Sequence, residues 1–175
     1  MPFTFKNLAA CTLVLLLAAL GAPAVAQDCR DRGFHWSDDE PAVNRLHVFC
    51  GEISSGRPKG FHSTRLMDTS AVVTGVTGKS NERDGIYDAS VRFRNDTAKF
   101  STFFPDACTV DQVVASIHYA ATHVERDHPQ WGKLGPSAPE QTHDDDGYCV
   151  DDNGDPFEIR MGFLADGRVN TAFPN

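Results

Sequence analysis

Four cysteines standing behind an N-terminal export signal constrain this chain more than any other feature. Met1 to Lys6 is short and carries one positive charge, Leu8 to Leu20 is an apolar run of 13 residues, and Ala24-Val25-Ala26 offers a small-x-small cleavage site. These are the three parts of a secretory signal, and the run is short for a bilayer span. Residues 1–26 are therefore expected to be removed as a signal peptide, leaving 27–175 as a single domain. Cys11 leaves with the signal; Cys29, Cys50, Cys108 and Cys149 remain. An even set in an exported chain reads as two disulfides, with three pairings open. No second long apolar run follows, so no membrane contact is expected after signal removal.

Charge narrows the function classes. The formal net charge is −8 and becomes −9 when Lys6 departs with the signal. A protein that binds nucleic acid by bulk charge should be basic, so any anionic ligand must meet a local patch. Gln27 to Pro105 carries 11 Lys+Arg against 11 Asp+Glu, whereas Asp106 to Asn175 carries 4 against 13. Arg45, Arg57, Lys59 and Arg65 cluster in the balanced half. The acidic half holds Asp151, Asn153 and Asp155, but Pro156 stands where a calcium loop needs glycine. Asp152-Asn153-Gly154-Asp155 reads as a turn.

The element pattern is α+β. Arg45–Cys50 has strand character and Gly51–Gly60 reads as a loop. Ser70–Val76 and Tyr87–Arg94 read as strands, the latter by its alternation. Thr109 and Gln112 form a capping-box pair. Val110, Val113, Val114, Ile117 and Ala121 then fall on one helical face. Pro129–Gly147 reads as a polar loop. Phe157–Leu164 and Val169–Phe173 read as a hairpin about Asp166-Gly167. The order suggests an antiparallel, β-rich sheet with one helix packed on it.

Seven histidines are present. His35, His128 and His143 lie in polar stretches, and His118 and His123 are not on one helical face. His47 and His62 differ, because a ten-residue turn between them can bring both rings to one cleft. Two imidazoles across a phosphodiester can cleave RNA, one taking the 2′-hydroxyl proton and the other protonating the departing 5′-oxygen. A nearby cation, Arg65 or Lys99, would stabilise charge on the phosphorane.

Three blocks carry a resemblance. His47-Val48-Phe49-Cys50-Gly51-Glu52-Ile53 with Gly60-Phe61-His62-Ser63, then Lys99-Phe100-Ser101-Thr102-Phe103-Phe104-Pro105, then Gly162-Phe163-Leu164 with Asp166 to Pro174, resemble the bacterial EndoU ribonuclease domain. That domain occurs as the toxic tip of contact-dependent inhibition proteins. The resemblance implies a barnase-like and EndoU-like nuclease fold, and cleavage of RNA to a 2′,3′-cyclic phosphate. It implies His47 as general acid, His62 as general base, Lys99 or Arg65 as the cation and Thr171 as the C-terminal hydroxyl residue. Arg45, Lys59 and Ser101 are the expected substrate contacts. No cofactor is required by this chemistry, although manganese dependence occurs in some relatives. RNA is the expected partner, and a toxin role would add an immunity or inhibitor protein; the oligomeric state stays open. Cys108 and Cys149 depart from the family pattern and suggest an exported variant stapled by disulfides, secreted or periplasmic. A second class of function is a non-catalytic exported binding module on the same fold. DNA cleavage is a third, but DNA lacks the 2′-hydroxyl that this mechanism uses.

Overall fold

The computed structural model describes residues 27–140 and 147–175. The signal-peptide segment, His143 and Asp144 to Asp146 lie outside the described residues. Among the described residues nine strands form three antiparallel sheets, accompanied by one α-helix. A small hairpin pairs β1 (Glu52–Ser54) with β2 (Arg57–Lys59). A three-stranded sheet runs β3 (Val73–Arg83), β4 (Ile86–Phe93), β5 (Ala98–Phe103). A four-stranded sheet runs β6 (Arg126–Asp127), β7 (Lys133–Pro136), β8 (Glu158–Phe163), β9 (Val169–Pro174). The helix α1 (Val110–Thr122) packs on β7 and β8. The expected α+β architecture of antiparallel sheet and packed helix is the one observed.

The helix begins where its capping chemistry dictates. Thr109 Oγ1 accepts from Gln112 N at 3.2 Å, and Gln112 Oε1 accepts from Thr109 N at 2.9 Å. Such a cap contributes about 1 kcal/mol. The buried face is Val110, Val113, Ser116, Ile117 and Ala120, with Val114 and Ala121 only partly covered. Ser116 belongs to it because its hydroxyl accepts from Cys149 N at 2.8 Å, satisfying a buried donor.

Two apolar cores result. The larger joins the helix, Val48, Phe49, Ile159 and Met161. The smaller lies over the three-stranded sheet around Phe61, Tyr87, Phe93 and Phe103. The larger core also contains both disulfides, Cys29–Cys50 and Cys108–Cys149. Two disulfides fit an oxidising compartment such as the periplasm or the exterior. No helix among the described residues is long and apolar enough to cross a membrane.

Three expectations are corrected. Arg45–Cys50 is not a strand: Leu46–Cys50 forms a single π-helical turn closed by Gly51 N donating to Leu46 O at 3.0 Å. Its consecutive buried residues, His47 to Cys50, cover every side of the turn, so the apolar run reads equally as strand or buried helix. Gly51–Gly60 is not a loop but contains the hairpin β1–β2, turning at Ser55 and Gly56 with positive φ. Pro129–Gly147 contains β7, whose pairing with β8 outweighs its Gly and Pro content. The acidic turn is as expected, with Asp151 Oδ1 accepting from the backbone of Asn153 and Asp155 at 2.9 Å each.

Candidate active site

The two histidines are brought together by hydrogen bonds to their own backbone. Opening the helix into a π turn frees carbonyls near its end, and the segment carrying His62 uses them. Phe61 N donates to His47 O and His62 N donates to Val48 O, each at 2.7 Å. His62 O then accepts from Phe104 N at 2.9 Å, tying this segment to the residue following β5. Asn44 fixes the other side: its Oδ1 accepts from His47 N at 3.1 Å, and its own N donates to Val169 O at 2.9 Å. The approach is close enough to require glycine. Gly60 has φ of +68°, and a Cβ there would lie 2.1 Å from His47 O.

The rings face one another with centroids 6.0 Å apart and planes inclined by 27°. His47 Nδ1 donates to Glu52 Oε1 at 2.7 Å. That hydrogen bond holds the Glu52 carboxyl below its ordinary pKa, against a smaller opposing effect of burial. His62 Nδ1 lies 3.0 Å from Thr102 O and 3.2 Å from Ser101 Oγ. A carbonyl only accepts, so Nδ1 carries the proton and the neutral ring keeps its lone pair on Nε2. Both Nε2 atoms lack a protein hydrogen-bond partner among the described residues. Burial first, then the charges of Lys99 and His47, holds the His62 pKa well below its usual value.

Lys99 stands beside this pair. Its Nζ donates to Gly60 O at 2.9 Å and to Ser101 Oγ at 2.8 Å. Ser101 in turn donates to Phe61 O at 2.9 Å. Burial lowers the Lys99 pKa to about 8, so the ammonium is still mostly protonated at neutral pH.

These groups line one cleft of about 370 Å³. His47, His62, Lys99, Ser101, Thr171 and Lys59 all contribute to its walls. The two remaining cationic candidates point elsewhere. Arg65 donates to Cys108 O at 2.8 Å and Ala107 O at 2.6 Å, bracing the strand-to-helix junction. Arg45 donates to Phe34 O at 2.7 Å and to Trp36 O, and covers the Phe34 ring at 4.7 Å. Neither lines the cleft. His118 and His123 are engaged at 2.9 Å and 3.0 Å with the carbonyls of Glu40 and Tyr119. No group of three or more His, Cys, Asp or Glu with metal-holding geometry occurs among the described residues.

Sequence reasoning assigned no role to Glu52, Trp131 or Phe173. Glu52 was legible as the only acid within the first histidine block. Phe173 stacks on His62 at 4.9 Å and Trp131 on the cleft rim lies 5.8 Å from Phe173. Trp131 lies outside all three blocks and sits in the turn between β6 and β7, and no local signal marks it.

The sequence model of one protein family, the bacterial EndoU nuclease, matches residues 42–175 of this chain. No curated protein and no solved structure matches it.

Proposed function

The chain belongs to the bacterial EndoU nuclease family, and we propose that it is an exported endoribonuclease that cleaves RNA by two-histidine transesterification. The observation that carries this reading is the pairing of His47 and His62 across one cleft, each with Nδ1 occupied and, among the described residues, Nε2 without a protein partner.

In the proposed reaction, His62 Nε2 takes the proton of the 2′-hydroxyl. The 2′-oxygen attacks phosphorus, and the bond to the 5′-oxygen of the next nucleotide breaks. His47 Nε2, as imidazolium, gives its proton to that departing oxygen. The products are a 2′,3′-cyclic phosphate and a 5′-hydroxyl, and one proton has moved from one ring to the other by way of substrate. Burial suits His62 to its part, because a general base must be neutral before it acts. Glu52 suits His47 to the other part: the ionised carboxylate accepts from Nδ1 and keeps Nε2 turned to the leaving group. Lys99 is the cation for the phosphorane, since it lines the cleft where Arg65 does not. Removing such a charge typically costs about 10²–10³ in rate. Thr171 offers a hydroxyl, and Lys59 a second positive charge, along the same walls. The scheme needs no metal. The exported enzyme would meet RNA outside the producing cell, as a scavenger or as a weapon against a competitor.

The burial of His62 against Phe173 also favours a second reading, a binding module with a weak base and no turnover. Incubating the oxidised chain from Gln27 with uridine-containing RNA separates the two. Cleavage lost in both His47→Ala and His62→Ala supports the enzyme. Binding without cleavage supports the module.

A further inference from the structure

Lys99 and Ser101 lie two residues apart on β5, so strand alternation turns both side chains to one face. Its sequence block marks Ser101 as an expected substrate contact. Ser101 does line the cleft, yet it is only 4% exposed, and the residue facing it on β4 is the small Ala89.

Its hydroxyl is already fully engaged. A serine hydroxyl has one proton to give and two lone pairs to fill. The Phe61 carbonyl, at 2.9 Å, can only accept, so it takes the proton. The Lys99 ammonium, at 2.8 Å, can only donate, so it fills one lone pair. His62 Nδ1, at 3.2 Å, fills the other, sharing its proton with Thr102 O at 3.0 Å. Nothing is left for an RNA oxygen.

Two N–H groups, one from each of the base and the cation, thus converge on one neutral oxygen. For His62, two acceptors beside Nδ1 keep the proton on that atom and the lone pair on Nε2. For Lys99, the bonds to Ser101 Oγ and to Gly60 O at 2.9 Å occupy two of the three ammonium protons and leave the third for the cleft. A carboxylate in place of the hydroxyl would also accept from both groups, but its charge would favour a second proton on His62 and so block the base. A hydroxyl aligns the two groups without adding charge.

We propose that Ser101 is the positioning residue of this site: its hydroxyl holds the His62 ring and the Lys99 ammonium in one fixed relation and makes no contact with RNA. The assignment rests on the ribonuclease reading above and adds how base and cation are kept aligned.

The test compares the oxidised wild-type chain with Ser101→Ala, Ser101→Cys and Ser101→Thr. Alanine removes the hydroxyl. Cysteine keeps the shape with a thiol that accepts weakly, and it serves if alanine unfolds the chain. Threonine keeps the hydroxyl. Three quantities are read. They are kcat on a uridine-containing RNA, Kd for the same RNA with hydrogen in place of the 2′-hydroxyl at the cleavable nucleotide, and the titration midpoint of Lys99 by side-chain NMR without RNA. Losing a hydrogen bond to a charged group should lower kcat roughly 10- to 100-fold in the alanine and cysteine variants, with Kd unchanged. Burial already lowers the Lys99 pKa to about 8. Without the hydroxyl the midpoint should fall further, because an acceptor for the charged form is gone. Threonine should return kcat and midpoint toward the wild type. A weakened Kd would make Ser101 a substrate contact and overturn the proposal, as would an unchanged kcat or an unchanged midpoint in both the alanine and cysteine variants. The midpoint needs no RNA. If the wild type cuts no RNA but the midpoint shifts, the ribonuclease reading fails and the alignment of Lys99 by Ser101 stands.

Discussion

Replacing Lys99 by methionine should stabilise the protein while removing its activity. Burial lowers the Lys99 pKa from 10.5 to about 8. At about 1.36 kcal/mol per unit, keeping the ammonium charged in the fold costs about 3 kcal/mol at neutral pH. Methionine has a similar reach and no charge to desolvate. It forfeits the hydrogen bonds to Gly60 O and Ser101 Oγ, worth roughly 1–2 kcal/mol together. The expected net gain is therefore about 1–2 kcal/mol, or a rise in Tm of roughly 2–8 °C for a chain of this size. The sign of the pH dependence follows from linkage. Between pH 8 and 10.5 the unfolded lysine still binds a proton and the folded one does not, so wild-type stability rises with pH across that window. The variant lacks this rise, so the difference should move by about 3 kcal/mol between pH 8 and 10.5 and reverse sign, leaving the wild type the more stable protein by about 1–2 kcal/mol at the high end. Urea unfolding of both proteins at pH 7, 8, 9 and 10, with disulfides intact, reads this difference directly. Activity on RNA should fall about 10²–10³-fold in the same variant. A pH-independent stability difference would refute the account of Lys99 as a desolvated cation, and full activity would remove it from the site.

Other outcomes follow from the same geometry. Burial keeps His62 neutral well below its usual pKa, so the general base should stay competent below pH 6.5; at high pH the loss of the Lys99 proton, centred at about 8, should add to the loss of activity that follows deprotonation of the general acid, as pH–rate profiles of the wild type and Lys99→Met will show. Gly60→Ala forces a Cβ to 2.1 Å from His47 O at a φ of +68°; it should cost at least about 2 kcal/mol by denaturant unfolding and depress kcat. Reducing the disulfides removes loop closures of 21 and 41 residues; by the chain-entropy relation each should cost roughly 3–4 kcal/mol, seen as a lower Tm. Because Cys50 ends the turn that carries His47, the reduced protein should also lose activity, and equal activity in both redox states would contradict this coupling.

The sequence exposed the elements whose signals are local. The capping box of Thr109 and Gln112, the alternation of β4 and the Asp166-Gly167 turn are each set within a few residues. Leu46–Cys50 was misleading because burial on all sides erases the periodicity that separates strand from helix. The short hairpin β1–β2 hid behind its Gly, Ser and Pro content. At the site, the histidine pair was legible because one short connection links them. The choice between Lys99 and Arg65 was not, since it depends on where two side chains from distant segments point. Lys99 faces the cleft on β5, whereas Arg65 reaches the carbonyls before α1. Trp131 was invisible for the same reason: its place on the rim depends on Arg160 and Gly162 in β8, 29 residues and more along the chain.

The most direct test of the central claim is cleavage by the oxidised chain from Gln27 in EDTA, on a uridine-containing RNA and on DNA of the same sequence. His47→Ala and His62→Ala serve as controls. The account predicts that RNA alone is cut, that the ends are 2′,3′-cyclic phosphate and 5′-hydroxyl, and that each alanine variant is inactive. Cutting of DNA, or of RNA by either alanine variant at the wild-type rate, would contradict it.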